Sequence, residues 1–484
     1  MKGVSSCLLD QLKMKIRILD ETQLLDIKAK TENLIEQTGF RIASDEILCR
    51  AEKAGAQVDR KTQIVRFPAR LLHDLLQKAP ARYTVSGCDG RVYCIGGGQP
   101  SISAIVIDPW IIDSRTREPR RPCLEDVRTN TILAQLYDSV SCVSRMDYPV
   151  TDDEGSRSSK QALLLHLLNH TKHNMAYVSS EQDLDMWLEI GAALSQGKPL
   201  TGSGLLSFAV AVVSPLTLSE LNCRILLEAT AHRLPVVPTI CPMAGTTAPY
   251  DVASTLLLAN AECVFMAALT QLLQPGNPFI YLIGPSVSNM RTGSDQYYTL
   301  EKVLWKVAAV ELARSYNLPA GAECGGTMDW RVDLQGGAES MLFMQAALGS
   351  GADLLSGVGS CFNANGLSAE TIVVQHAFFA AAGYVQSGLS TRDLQEGMDS
   401  IMATGHSGHF LTDDLTLKKL REQAFFSNPL FDYSGEHVAD DHENGSMWAR
   451  ATRQVDQMTQ SYVSPVPKQI QKALKDLFHK RYGL

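Results

Sequence analysis

The chain has 484 residues, of which 45% are hydrophobic and 20% charged, and its formal net charge is −8. This length suits one large barrel with extensions or several smaller domains, and the composition is typical of a globular protein with a large core. The acidic balance and the lack of a long basic run argue against a nucleic-acid partner. No stretch reaches the roughly 18 uninterrupted apolar residues of a membrane helix, so we expect no membrane association.

Cysteine usage and the start of the chain predict a cytoplasmic protein. The 11 cysteines are scattered and form no CxxC pair, which favours reduced thiols over a disulfide framework. The first twenty residues contain acidic side chains and no convincing cleavage site, so we expect no signal peptide.

Residues 1–98 form a predicted accessory region with an α+β pattern. Helices are expected at about Glu21–Glu36, Ser44–Ala54 and Ala69–Lys78, the first capped by Asp20. Two short strands around the turn sequence CDGR complete the region.

Residues 99–390 alternate between short apolar strands and longer helical segments. The predicted strands are Ser101–Ile107, Ser141–Met146, Met175–Ser179, Gly202–Phe208, Val236–Ile240, Phe279–Ile283, Ala320–Glu323 and Asp353–Ser356. A helical segment follows each of them, and the last helix is expected at about Ala369–Val385. Eight such units predict an α/β fold of the (β/α)₈ TIM-barrel type. An open, doubly wound sheet is the alternative.

Residues 391–484 form a predicted helical extension. A helix at about Thr391–Met402 is followed by a Gly-bounded loop and a helix capped by Thr412 or Asp413. A basic helix is expected at the C-terminal end.

Several common catalytic motifs are missing. The sequence contains no HExxH, GxxxxGK[ST] or GxSxG motif and no clean GxGxxG after a strand. We therefore expect no bound metal. The predicted barrel strands contain no lysine, which disfavours a Schiff-base aldolase.

Carboxylates and aromatic side chains follow the predicted strands, where α/β barrels place their chemistry. Rings and carboxylates together suit a cationic ligand. Packing and capping are the alternative explanations for each residue. The candidate substrate-binding residues are Asp147, Tyr148, Phe208, Tyr298, Trp330, Arg331, Phe362 and Asn363.

Three residues are candidates for acid–base work. Glu323 and Asp329 follow the seventh predicted strand, although a cap or an ion pair would explain them too. His376 lies on an apolar helix after the eighth strand, where a histidine is usually a core residue, but it is our first candidate proton donor.

Four glycines are candidates for contact with a bulky cofactor. Gly325, Gly326, Gly357 and Gly359 lie in loops after the last two strands, where a missing side chain would let the backbone approach a ligand. Tight turns explain these glycines equally well.

Four segments together resemble the trimethylamine methyltransferase superfamily of corrinoid methyltransferases. They are LDIKAKTENLIEQTGFRI (Leu25–Ile42), the GGTxDxxxDxQ pattern at Gly325–Gln335, GADLLSGVG (Gly351–Gly359) and GHFLTDDLTL (Gly408–Leu417). Their order and spacing cover nearly the whole chain.

The resemblance implies a (β/α)₈ barrel that moves a methyl group from a methylamine to a corrinoid, a cobalamin carried by a separate small protein. The trimethylamine branch uses pyrrolysine, whereas this sequence has only standard residues. The chain therefore resembles the pyrrolysine-lacking branch, which acts on quaternary amines, and glycine betaine is the favoured substrate. A homo-oligomer is also expected.

Two other functions remain open from the residues alone. One is a lyase or aldolase-type barrel that acts on a carbonyl substrate. The other is a subunit that binds a betaine or a corrinoid protein without turnover.

Overall fold

The computed structural model describes residues 14–152, 155–331, 333–433 and 445–484. Parts of the predicted N-terminal region and C-terminal extension, residues 1–13 and 434–444, therefore lie outside the described residues.

The N-terminal part packs as a small α+β layer against the rest of the chain. Its elements are α1 (Glu21–Gln37), β1 (Phe40–Ile42), α2 (Asp45–Lys53), β2 (Gln57–Asp59), β3 (Ile64–Arg66), α3 (Ala69–Leu76), β4 (Tyr83–Ser86) and β5 (Val92–Ile95). Asp20 caps α1, as predicted, because its carboxylate accepts a hydrogen bond from the backbone nitrogen of Gln23 at 2.8 Å.

A parallel sheet forms the centre of the molecule. The strands that follow in the chain are β6 (Ser101–Ile105), β7 (Trp110–Ile112), β8 (Pro119–Arg120), β9 (Val140–Arg145), β10 (His173–Ala176), β11 (Leu206–Ala211), β12 (Thr217–Leu218), β13 (Val236–Thr239), β14 (Met243–Ala244), β15 (Ser286–Ser288), β16 (Asp295–Gln296), β17 (Gly321–Glu323), β18 (Leu354–Ser356), β19 (Ser360–Cys361) and β20 (Gly366–Leu367). Seven of them form one sheet in the order β13-β11-β10-β9-β6-β18-β17.

Segment 279–281 joins the two edges of this sheet. Phe279 forms a parallel bridge to Val236, and Tyr281 forms one to Ala320. The backbone nitrogen of Gly321 donates to the carbonyl of Tyr281 at 2.9 Å. These contacts close an eight-stranded cylinder, so the predicted barrel is confirmed and the open sheet is wrong.

Helices surround the cylinder and extend beyond it. They are α4 (Leu124–Leu136), α5 (Ser156–Leu167), α6 (Glu181–Leu194), α7 (Glu220–Ala231), α8 (Val252–Leu273), α9 (Glu301–Ser315), α10 (Leu334–Ser350), α11 (Ala369–Ser387), α12 (Leu394–Thr404), α13 (Asp414–Arg421), α14 (Met447–Gln460) and α15 (Lys468–Tyr482). Helix α8 is long and apolar enough to cross a bilayer, but 78% of its most apolar window is buried inside the protein. The N-terminal layer covers it, and Phe40 stacks on Phe265 with ring centroids 3.9 Å apart.

The β4–β5 hairpin fills the amino end of the barrel. Tyr83 and Ile95 pack with residues of the barrel interior, among them Met175, Ile280 and Leu354. The interior is therefore filled at the end where the strands begin, and its free space lies where they end.

The C-terminal helices cover the outside of the barrel. Helix α14 packs on α11 and α4, and α15 packs on α6 and α5. Asp413, one of the two predicted caps, accepts from the backbone nitrogen of Thr416 at the start of α13. The division of the chain at residues 98 and 390 remains a prediction.

Candidate functional site

A cavity of about 240 Å³ lies at the carboxyl end of the barrel. Met175, Val237 and Leu354 line its inner part, and these same residues pack on the hairpin that fills the other end. Four tyrosines line its walls: Tyr148, Tyr177, Tyr297 and Tyr298. A wider polar groove between α2 and α7 lies on the outer surface, away from the strand ends. The cavity is therefore the candidate site.

Glu323 is the centre of a buried charged cluster on one side of the cavity. Its Oε1 accepts a 2.5 Å hydrogen bond from the hydroxyl of Tyr297. Its Oε2 lies 2.8 Å from Nζ of Lys306 and 3.7 Å from Nζ of Lys302. Helix α9 presents both lysines, one turn apart, to the end of β17.

The lysines are held by the protein as well as by Glu323. Lys306 donates to the carbonyl of Ile283, and Lys302 donates to the carbonyl of Gly284 at 3.3 Å. The Lys302 ammonium also lies 3.1 Å from the centroid of the Tyr297 ring. Both oxygens of Glu323 are therefore paired, Oε1 with the Tyr297 hydroxyl and Oε2 with the Lys306 ammonium.

Burial and charge act against each other in this cluster. Burial opposes ionisation of Glu323, but the positive charges of Lys302 and Lys306 and the hydrogen bond from Tyr297 lower its pKa to about 2. Burial lowers the pKa of Lys302 to about 8, although Glu323 favours its charged form. Glu323 is thus a carboxylate at neutral pH rather than a proton donor.

A second carboxyl group lines the cavity without a counter-ion. Asp108 follows β6, and only 7% of its surface is exposed. Burial raises the pKa of this carboxyl well above its usual range. Tyr148 and Tyr298 lie close enough that its charge raises their pKa further, after the larger effect of their own burial.

The predicted glycines pack against the protein's own side chains rather than offering a free backbone. A Cβ on Gly326 would lie 2.1 Å from the Tyr298 ring, and φ is +96° there. A Cβ on Gly325 would meet Gln375 at 2.4 Å, and one on Gly359 would meet Ile372 at 2.3 Å. Their absent side chains therefore make room for neighbouring elements, which corrects the expectation that they contact a cofactor.

Gly357 both makes room for a neighbouring side chain and lines the cavity. It lines the cavity, and its Cβ position lies 3.2 Å from the hydroxyl of Tyr298. The loops after β17 and β18 therefore meet at Tyr298, and the glycines fix the position of this ring in the cavity wall.

Asn363 connects the loops around the cavity mouth. Its Oδ1 accepts from the backbone nitrogen of Tyr297 at 2.5 Å, and its Nδ2 donates to the carbonyl of Asp295 at 2.6 Å. Phe362, Asn363 and Ala364 have φ values of +51°, +56° and +58°. This left-handed run is strained for residues other than glycine and lies directly at the mouth. Asn363 positions Tyr297 rather than lining the cavity.

An aromatic rim stands beside the mouth. The Phe362 ring lies 6.3 Å from Trp110 and 6.5 Å from Trp330, in edge-to-face contacts. Arg331 lies over the Trp330 ring, but its side chain is 64% exposed and points to solvent. Asp329 accepts from the backbone nitrogen of Arg331 at 3.0 Å, so it stabilises the loop and does not line the cavity.

Four predicted residues do line the cavity: Tyr148, Tyr298, Glu323 and Gly357. Asp147 and Phe208 do not: Asp147 lies between two lining residues, Met146 and Tyr148, and neighbouring residues in an extended segment point to opposite sides. Asp147 pairs with Lys160 at 3.1 Å, outside the cavity. Phe208 is fully buried in the main hydrophobic core. Both substrate-binding assignments are corrected on this ground.

His376 lies far from the strand ends. It stacks on Tyr137 with ring centroids 3.6 Å apart and lies 3.3 Å from the hydroxyl of Ser139, which precedes β9 at the amino end of the barrel. Burial and then the charge of Lys172 lower the pKa of His376 to about 3. It is therefore a neutral packing residue, and its catalytic assignment is corrected.

Sequence reasoning missed five residues of the site. Lys302 and Lys306 lie on a helix rather than on a strand, and their spacing within the apolar segment KVLWKVAAVELA was the available signal. Tyr177 alternates with Met175, and Tyr297 precedes the predicted Tyr298. Asp108 follows β6 with no motif that marks it.

Comparison with known proteins identifies the family. The family model described as trimethylamine methyltransferase (MTTB) matches residues 6–483. The chain belongs to the trimethylamine methyltransferase family. Because the match covers nearly the whole chain, this family member is a methyltransferase.

Curated relatives of this family member include methyltransferases from Desulfitobacterium hafniense and Methanosarcina barkeri. A glycine betaine methyltransferase from Desulfitobacterium hafniense (strain Y51) is 27% identical over 439 residues, which are 88% of each chain. A trimethylamine methyltransferase MttB from D. hafniense (strain DSM 10664 / DCB-2) is 26% identical over 84% of this chain and 82% of that one. A third, MttB from Methanosarcina barkeri (strain Fusaro / DSM 804), is 24% identical over 86% and 85%.

A solved structure supports the fold of this family member. The Methanosarcina barkeri monomethylamine methyltransferase superposes with a TM-score of 0.50 at 13% identity, over 93% of this chain and 96% of that one. At this identity the likeness concerns the fold alone.

Proposed function

We propose that this methyltransferase takes a methyl group from a quaternary amine, with glycine betaine favoured, and transfers it to the reduced cobalt of a corrinoid carried by a separate small protein. The observation that carries the proposal is a small cavity with four tyrosine rings and two carboxyl groups at the open end of the barrel. Electron-rich ring faces and carboxylates are the groups that hold an alkylated ammonium ion.

The size and place of the cavity suit a small methyl donor. About 240 Å³ admits a small alkylated amine but not a macrocycle. The donor would therefore lie inside the barrel, and the acceptor would meet it at the mouth. The task of the protein is to hold one methyl carbon in line with the acceptor while excluding water.

A quaternary ammonium needs no special activating residue. When it loses a methyl group, it leaves as a neutral tertiary amine and needs no proton at that moment. Glu323 is ionised and His376 lies away from the cavity, so neither of these two residues donates a proton to the leaving amine. A trimethylamine substrate would need protonation or other activation before its methyl group could leave.

The mouth fits a large flat acceptor. The rim of Trp110, Phe362 and Trp330 presents apolar ring edges beside the opening, and Ala364 of the same loop lines the cavity. A corrin ring has an extended apolar face that such a rim can contact. The corrinoid supplies the nucleophilic cobalt, and the rim residues would orient it over the cavity.

A carbonyl lyase is the second candidate, because the barrel does contain buried lysines. Lys302 has a pKa of about 8, which favours an amine that can form a Schiff base. However, both ammonium groups donate to backbone carbonyls beside the Glu323 carboxylate, and Lys302 is fully buried and does not line the cavity. Borohydride reduction with simple aldehydes and ketones should leave the protein mass unchanged; a covalent adduct at either lysine would favour the lyase.

The experiment is a substrate screen under anaerobic conditions. Purified protein and cob(I)alamin are mixed with glycine betaine, carnitine, proline betaine or trimethylamine, and the cobalt absorbance is followed. We expect conversion with a quaternary amine and none with trimethylamine. If no quaternary amine supports turnover, the chain is a binding subunit or the proposal is wrong. A cytoplasmic location and a homo-oligomeric state remain part of the proposal.

A further inference from the structure

Asp108 is a buried carboxyl group without a partner. Its exposed fraction is 7%, it lines the cavity, and no side-chain hydrogen bond or ion pair reaches it within the described ranges of the chain. A carboxylate in such a place is costly unless a cation accompanies it. The cavity is the open space next to it, so an incoming ligand can bring that cation.

The lysine cluster has the opposite imbalance. Lys302 and Lys306 carry two positive charges against one negative charge on Glu323, so the cluster has a formal excess of one positive charge. The side chains of both lysines are almost fully buried, at 0% and 3% exposure. Asp295, the other carboxylate that acts on Lys302, is exposed to solvent. An anionic group of the ligand would balance the excess, and Lys306 lines the cavity.

The two imbalances lie at different parts of the cavity wall. Asp108 belongs to the end of β6, with Tyr148 and Cys361 near it. The ammonium groups of the two lysines reach from α9 to the ends of segment 279–281 and β17, with Tyr297 and Cys241 near them. Tyr177 lies between the two, since the charges of both Asp108 and Glu323 act on it.

We infer that the cavity is built for a zwitterion, with Asp108 and its neighbouring tyrosine rings facing the ammonium group and Lys306 facing a carboxylate. The substrate class is then an N-methylated amino acid rather than a simple alkylammonium ion or an amino alcohol. This inference rests on the proposed function only for the fate of the methyl group, because binding can be measured without the corrinoid.

Three ligands of similar shape separate the two charges. Glycine betaine has both charges, 3,3-dimethylbutanoate has the carboxylate and an uncharged tert-butyl group, and tetramethylammonium has the cation alone. Binding is measured by calorimetry on the full chain. We expect glycine betaine to bind at least about tenfold more tightly than either analogue, as for the gain of one charge-assisted contact.

Two variants test each pole separately. Asp108→Asn should lower the affinity for glycine betaine at least about tenfold and change the affinity for 3,3-dimethylbutanoate by no more than about twofold. Lys306→Met should lower the affinity for glycine betaine and for 3,3-dimethylbutanoate, which both carry a carboxylate, and leave the affinity for tetramethylammonium little changed. Asp138→Asn is the matched control, because its side chain is 98% exposed and lies outside the cavity. If Lys306→Met does not fold, the wild-type ligand series and Asp108→Asn still decide.

The outcomes separate this inference from the proposed function. Equal binding of glycine betaine and tetramethylammonium by the wild type, or equal weakening of all ligands by Asp108→Asn, overturns the zwitterion site even if methyl transfer occurs. The expected binding pattern without any methyl transfer to cob(I)alamin supports the zwitterion site and contradicts the proposed function.

Discussion

Replacing Glu323 by glutamine tests the charged cluster that defines one side of the cavity. Glutamine keeps the shape and can still accept the hydrogen bond from Tyr297, but it leaves Lys302 and Lys306 without the carboxylate that lies 3.7 and 2.8 Å from them. Removing one partner of a buried ion pair costs about 3–5 kcal/mol. We therefore expect a clear loss of stability.

The pKa of Glu323 gives a second magnitude for the same contacts. The carboxyl titrates at about 2 in the folded protein instead of 4.5. At 1.36 kcal/mol per pKa unit, this depression corresponds to about 3 kcal/mol of stability. Because the folded pKa is depressed, the contribution is complete above the unfolded pKa and is lost as the pH falls from about 4.5 to about 2.

The assay is urea denaturation of the wild type and Glu323→Gln at pH 7 and at several acidic values. The free energies of unfolding should differ by about 3 kcal/mol at pH 7, and the difference should shrink as the pH falls below 4.5. Glu125→Gln is the control, because its side chain is 66% exposed and its pair with Arg128 should contribute at most about 1 kcal/mol. A difference below about 1 kcal/mol for Glu323→Gln would refute the cluster as described.

Three further predictions concern packing and the rim. His376→Phe should keep the stack on Tyr137 and leave methyl-transfer kinetics unchanged, whereas a fall in kcat would return the histidine to the site. Because the pKa of His376 is about 3 in the folded protein and 6.5 otherwise, the wild type loses up to about 1.4 kcal/mol of stability per pH unit as the pH falls from 6.5 to 3, and the variant should not show this loss. Gly326→Ala should displace the Tyr298 ring and lower kcat/KM at least about tenfold for the amine, because φ is +96° and the new Cβ would lie 2.1 Å from the ring. Trp330→Ala should raise KM for the corrinoid acceptor about threefold or more and leave amine binding unchanged; the opposite pattern would move the rim into the amine site.

The barrel could be predicted because its signal is repeated along the chain. Each strand is a short apolar run between turn residues, and each helix is long enough to cover it. Even segment 279–281, which closes the cylinder through isolated bridges, lay inside a predicted strand. Helix caps such as Asp20 could be predicted as well, because a cap depends only on residues next to the start of the helix.

The site was harder because it depends on which way each side chain faces. Phe208 lies in a barrel strand, but its side chain is buried in the main hydrophobic core, and the cavity is lined by residues of other strands than β11. His376 lies on a helix that begins near the mouth, but its own turn is close to Ser139 at the other end. Lys302 and Lys306 enter from a helix, and their ion pair with Glu323 spans residues that no local pattern connects.

The most direct measurement of the central claim follows the methyl group itself. Glycine betaine with trideuterated methyl groups is incubated with the purified protein and cob(I)alamin without oxygen, and the cobalamin product is analysed by mass spectrometry. The proposal predicts a methylcobalamin that carries three deuterium atoms, together with dimethylglycine, and neither product without the protein. An unmethylated or unlabelled cobalamin after many turnover times would contradict it.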